Sequence, residues 1–504
     1  MKKTIAEGTA FYSRGNMTLG SAILLVISLI MTVFNLVSIS GDVTGGKQWS
    51  LVATLSCYIW LMVYLACSYM HHRTVYLYSS AYLICLFLFH MGLTIQHAFG
   101  VQFSGEWKVG KFTVWLELAA WYTALSLSSF GIGFALAPLF IKNRRVPAVW
   151  AAAQQADVYR VGRWMSYGML IASAIFFIMA IKSYGNLLSY SRADIFRSSA
   201  DSRGFGVFMM VFPGAVWLYL LTAQTKKHYL IGFGLVLFSF ALFMLSGYRS
   251  AALFSCLIGV ISWVKTGRKL PTSLAVGAVI FVLMAISFVG VFRQLGTYGE
   301  LDSSAIEKSL EETSIVGGLD SMGGTANGLA HVLKLVPDTD PHRWGSSYWR
   351  ALADSIPNIG LNIDSQYSRQ TIKDEVKADP SALNKMPPSD WLTFRILREQ
   401  FDLGQGVGFT AIGEAYLNFG NVGVVVFFTL LGAGLCYLDS VNIVCRYKLF
   451  IFVTAMLWPL IRTVRNDAAN FTKPAMFMLI ILFAWWLFSR YALAKRLSMR
   501  RVKN

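Results

Sequence analysis

The feature that most limits this chain is a recurrent apolar run of about twenty residues, the length that carries a helix across a bilayer's hydrocarbon core. Twelve segments are candidates on that ruler, the eighth being short: 19–40, 50–70, 74–98, 112–141, 164–183, 205–223, 228–246, 250–264, 272–292, 411–437, 448–464 and 474–491. With 55% of 504 residues hydrophobic and 14% charged, no water-soluble packing could hide so much apolar surface. Inside a bilayer each segment must satisfy its own backbone, which selects helices. The chain therefore reads as an all-α polytopic membrane protein of about twelve spans. The first run is long enough to cross and has no small-residue cleavage site after it, so it reads as a span and not as a leader. Arg249 interrupts the approach to the eighth run, which makes spans seven and eight the least regular pair.

A net charge of +18 would suggest nucleic acid if the charges were clustered on a soluble surface. They are not. With the N-terminus inside and twelve alternating spans, the inner segments hold half of the 44 Lys and Arg residues but three of the 26 acids: Glu7, Asp157 and Asp439. That asymmetry follows the positive-inside rule, so both termini read as cytoplasmic, facing anionic lipid and not nucleic acid. Residues 1–292 then hold nine spans, with a polar stretch near 146–163 that reads as a helix lying on the inner surface. Residues 293–410 form a large outer loop, too rich in Trp344, Tyr348, Trp349 and Trp391 for a disordered linker and expected to be helical. Residues 411–504 hold three more spans and a basic cytoplasmic tail.

Several constellations could carry chemistry. Arg249, in Ser246-Gly-Tyr-Arg-Ser-Ala-Ala-Leu253, sits at a membrane edge, where a guanidinium either has a function or snorkels. Arg293 emerges on the outer side, where it is either a phosphate ligand or an interfacial anchor. Arg462 and Arg465 are three apart and would project together from a helix. In segment 406–423, five glycines permit close backbone contact, and Glu414 and Asn418 share a helix face. Glu414 could equally be a base or a structural ion-pair partner. The Asp338-Thr-Asp340 pair, between Pro337 and Pro341, lies on the side where nucleotide sugars are scarce and reads as a loop feature, not a metal site. The six cysteines form no CxxC pair. No nucleotide-binding loop, dinucleotide fingerprint or HExxH is present, so no cofactor and no metal are expected.

Together these segments resemble the Wzy-type O-antigen polymerases. The resemblance rests on Ser246 to Leu253, Arg293, Ser347-Tyr-Trp-Arg-Ala-Leu352 with Ile356-Pro357, Gly408-Phe-Thr-Ala-Ile-Gly-Glu-Ala-Tyr-Leu-Asn-Phe-Gly420, and Arg462 to Asp467. It covers roughly residues 246–467, and the N-terminal half agrees in topology alone. It implies a GT-C-like, inverting, metal-independent glycosyltransferase of the bacterial inner membrane. Such an enzyme joins undecaprenyl-pyrophosphate-linked repeat units, donor and acceptor, at the periplasmic face, with a chain-length co-polymerase as a possible partner. On that basis Glu414, Arg249 and Arg465 are candidate catalytic residues, with Asp467 or His331 as alternative bases. Arg293, Arg462, Tyr416, Asn418, Asp467, Tyr348 and Arg350 are candidate substrate contacts. An O-antigen ligase of the same fold group would be expected to carry a loop histidine in a recognisable motif, which His331 and His342 lack. A lipid-linked oligosaccharide flippase would be expected to show inverted repeats, and none is visible.

Overall fold

The computed structural model describes residues 18–41, 47–72, 74–98, 113–140, 148–184, 203–245, 313–356, 369–402, 406–440 and 447–503, with short helical pieces between 253 and 288. Every regular element among them is helical. In chain order they are α1 (Leu19–Ser40), α2 (Lys47–His72), α3 (Tyr78–Ala98), α4 (Thr113–Phe140), α5 (Ala148–Tyr184), α6 (Arg203–Leu221) and α7 (Lys226–Leu245). There follow α8 (Ile315–Leu335), α9 (Ser346–Ala353), α10 (Arg369–Ala378), a 3-10 turn (Pro380–Lys385), α11 (Pro388–Ile396) and α12 (Arg398–Asp402). The chain closes with α13 (Ala411–Ser440), α14 (Tyr447–Arg462) and α15 (Ala469–Lys503). Among the described residues, seven helices are long and apolar enough to cross a membrane: those within α1 to α5, α7 and α13. Met210–Leu221 and Ala469–Ala484 are shorter apolar helices. The expected spans at 250–264 and 272–292 are described only in part, as short helical pieces.

Two expected boundaries change. The stretch near 146–163, expected as a helix on the inner surface, is helical from Ala148 onward. It continues into the fifth span as one 37-residue helix, because the Ala-rich start is a strong helix former and no proline interrupts it. The segment 411–437 is not one straight span. Phe419 (φ −139°, ψ 16°) and Gly420 (φ 60°, ψ −146°) leave helical geometry and divide α13 into two legs. Gly420 lies in the left-handed region that a side chain resists, so the break is placed where the sequence has a glycine.

The bundle core is built by backbone-close packing and by polar groups that satisfy one another. A Cβ on Gly133 of α4 would lie 1.7 Å from the Thr429 carbonyl of α13, so a side chain there would force these helices apart. Asp439, near the end of α13, accepts the Tyr78 and Ser79 amides at 2.8 and 3.1 Å and also the Ser79 hydroxyl. It thus caps the start of α3 from a helix about 360 residues away in sequence, taking donors that a helix N-terminus leaves over.

The segment between the halves folds on its own core. Val336, Leu383, Met386, Trp391, Leu392 and Phe401 are buried together with Phe409 and Leu417 at the entry to α13. Asp340 accepts from Trp391 Nε1 at 3.2 Å and is ion-paired with Arg395. Both of its carboxylate oxygens therefore accept from protein donors. Arg343 is 6% exposed, donates to the Met386 and Leu383 carbonyls at 2.7 and 3.1 Å, and lies over the Trp391 ring. The helices expected at 293–410 are thus present from α8 onward.

Candidate functional site

The break in α13 assembles the site. Ending a helical leg at residue 419 deprives its last carbonyls of their partners four residues on. The loop before α9 supplies them: the Arg343 amide donates to the Leu417 carbonyl at 2.9 Å and the Trp344 amide to that of Asn418 at 3.0 Å. Trp344 (φ 49°) and Gly345 (φ 86°) adopt left-handed backbone to bring these amides round. For a bulky tryptophan that conformation is costly and is held by its surroundings.

Behind this seam lies a closed polar cluster. Gly345 N–H donates to Asn418 Oδ1 at 3.0 Å. Asn418 Nδ2 donates to Ser347 Oγ at 2.7 Å and to the Glu414 carbonyl at 2.8 Å. Ser347 donates to Glu414 Oε1 at 2.7 Å, and the Ala468 amide donates to Oε2 at 2.6 Å. Glu414 is 2% exposed and Asn418 is fully buried. One carboxylate therefore joins three distant segments: α9, the first leg of α13, and the turn between α14 and α15.

That turn is held twice more. The Phe409 and Ala411 amides donate to the Arg465 and Thr463 carbonyls at 3.2 and 3.0 Å. Asp467 is fully buried and accepts the Ser389 amide at 3.0 Å and Asn470 Nδ2 at 2.8 Å. Its carboxylate ties the turn to α11. The guanidinium of Arg343 sits among Glu414, Asp340 and Asp467. Burial pushes its pKa down to about 10, and the three acids oppose that fall.

The structure thus brings Glu414, Asn418, Asp467, Tyr348 and Arg350 into one region. Ser347, Arg350, Asp354, Pro387, Pro388 and Ala469 line a small cleft there of about 10 Å³, room for one water-sized group. Arg350 pairs with Asp354 at 3.5 Å, and Tyr348 stacks on Phe427 with ring centroids 6.4 Å apart. Tyr416 faces the rings of Tyr122 and His342 and donates to the Val336 carbonyl at 3.3 Å, a bracing position between the loop and α4. Arg465 lies over Phe89 of α3, 5.8 Å from the ring centroid. Arg462 ends α14, and the Arg465 amide closes the turn onto its carbonyl at 3.1 Å. Arg249 and Arg293 lie outside the described residues.

Three participants escape the residue-by-residue reading. Ser347 stands in a quoted motif, but nothing in its type marks it. Arg343 looks like one of many loop cations. His90 could have been noticed as an imidazole inside an apolar run. It contacts the Leu86 carbonyl through Nδ1 at 3.0 Å and Thr410 Oγ1 through Nε2 at 2.7 Å, joining α3 to the entry of α13.

A search of curated proteins and of solved structures finds no match to this chain. The model of the family described as O-antigen polysaccharide polymerase Wzy matches residues 18–496, nearly the whole length. A multi-pass helical chain with a folded loop locked onto a broken helix is thus matched along its length by a family of membrane glycan polymerases: the protein belongs to the Wzy O-antigen polysaccharide polymerase family.

Proposed function

We propose that the protein joins undecaprenyl-pyrophosphate-linked oligosaccharide repeat units by an inverting, metal-independent glycosyl transfer at the periplasmic face of the bacterial inner membrane. The chain crosses about twelve times with both termini cytoplasmic, in a GT-C-like arrangement, and residues 293–410 form the periplasmic lid. The observation that carries this reading is the 2.6 Å hydrogen bond from Ala468 to Glu414. It links a buried carboxylate to the turn that bears Arg465 and follows Arg462, so a base and the cations for a leaving group belong to one connected unit.

The chemistry follows from what each group can do. Breaking the bond to a sugar pyrophosphate develops negative charge on the leaving oxygens, and arginine offers a planar pair of donors for them. Arg249, Arg293, Arg462 and Arg465 fill that role, and Arg350 is the cation lining the cleft beside Ser347. The acceptor hydroxyl must lose a proton as it attacks, and Glu414 receives it. Asn418 and Asp467 hold this framework, while Tyr348 and Tyr416 contact substrate at its edges. A chain-length co-polymerase would act from outside this machinery.

The test uses purified full-length protein and lipid-pyrophosphate repeat units extracted from cells lacking the chain, with no nucleotide and with chelator. A ladder of lengthened glycans is the expected product. Lipid translocation in liposomes without a ladder would replace the polymerase by a flippase, and transfer of finished glycan to lipid A core would replace it by a ligase.

A further inference from the structure

We infer that Ser347 takes the acceptor's proton and passes it to Glu414. The inference rests on the polymerase reading and deepens it. Glu414 is not among the residues lining the cleft beside Arg350, and both of its oxygens already accept hydrogen bonds, from Ser347 and Ala468. A carboxylate so placed acts as a base through a neighbour that reaches both it and the substrate. Ser347 is placed for that role: it is 4% exposed, its side chain bonds to Glu414, and it is one of the residues lining the cleft beside Arg350.

One backbone group fixes the direction of every hydrogen in this cluster. An amide N–H donates and never accepts. Gly345 N–H therefore makes the side-chain oxygen of Asn418 the acceptor and turns its NH2 toward Ser347. Ser347 Oγ must accept there, so its own proton points at Glu414 Oε1. A hydroxyl oxygen has two lone pairs, and Asn418 uses one. The other is left for a donor entering from the cleft that Ser347 and Arg350 line.

The acceptor oxygen forms its bond to the anomeric carbon as the bond from that carbon to the pyrophosphate oxygen breaks. The bonding pair leaves with the pyrophosphate. The acceptor's proton moves to Ser347 Oγ while the Ser347 proton moves to Glu414, which ends the step neutral and releases the proton to water before the next cycle. Ser347 ends unchanged.

The experiment measures single-turnover elongation by the full-length protein with extracted lipid-pyrophosphate repeat units. Ser347→Ala should lower the transfer rate at saturating acceptor by about 10²-fold or more, the range for loss of acid–base help, and leave the half-saturating acceptor concentration within about threefold. Glu414→Gln should fall as far, the double variant no further, and Ser347→Thr should recover most of the rate. Rates near wild type in Ser347→Ala, with Glu414→Gln inactive, would overturn the relay and leave the polymerase standing. If Ser347→Ala does not fold, the wild-type rate in mixed light and heavy water decides. A curved dependence means two protons in flight and supports the relay; a linear one overturns it. Wild-type protein that makes no ladder would overturn the polymerase reading and the relay with it.

Discussion

Replacing Glu414 separates what its carboxylate holds from what it does. Its two oxygens accept one hydroxyl and one amide, both in buried surroundings. A buried donor left without its acceptor costs roughly 1–3 kcal/mol, so the pair accounts for about 2–6 kcal/mol. Glu414→Ala removes both and strands two buried donors, at about that full cost. Glu414→Gln keeps one acceptor oxygen but turns an NH2 toward the second donor, and should cost about half as much. Thermal unfolding in detergent should therefore rank wild type above Gln and Gln above Ala, while both variants lengthen glycan about 10²-fold or more slowly than wild type. Equal unfolding temperatures for all three would refute the clamp. A near-normal ladder from Glu414→Gln would refute the base and leave the clamp intact.

Arg465→Ala and Arg249→Ala should abolish elongation with the protein still in the membrane, and lysine should restore little because it lacks the planar fork; near-normal ladders in both would sink the pyrophosphate pocket. Asp439→Ala should cost roughly 2–4 kcal/mol by uncapping α3, read as a lower unfolding temperature. Burial, with Lys334 adding to it, pushes His331 down to about 4, so the unfolded chain binds the extra proton first. Stability should therefore decline as pH falls from about 6.5 toward 4, and His331→Gln should lose that component in a pH series of unfolding midpoints. A reporter fused after Lys385 should be active in the periplasm and not the cytoplasm; the opposite result would invert the topology.

Much of the architecture is legible in the residues themselves. Apolar length marks spans because a helix must cover a fixed thickness of hydrocarbon, and Leu19–Ser40 and Ala411–Ser440 appear close to where that ruler puts them. The bend inside the second is not legible from hydropathy, since Phe419 and Gly420 sit in a run that reads as continuous. The continuity of the stretch near 146–163 with the helix that follows is not legible from polarity either: polarity locates a segment relative to the bilayer, but helix continuity is decided by local propensity. Glu414 and Asn418 are found by their four-residue spacing. Ser347 is not, because a serine becomes informative only when its neighbours in space are known.

The sequence alone determines that this chain is a membrane-embedded bundle of helices, and it singles out residues 406–423 and 462–467 as candidates. Those conclusions depend on composition and local periodicity, which every residue carries with it. Only the tertiary structure decides that Ser347, Glu414 and Ala468 meet, 67 and 54 residues apart. It also decides that Asp340 and Asp467 are tied into the framework of the loop. The reason is physical: a hydrogen bond needs a donor and an acceptor about 3 Å apart, and that separation is set by how helices pack and where one of them breaks.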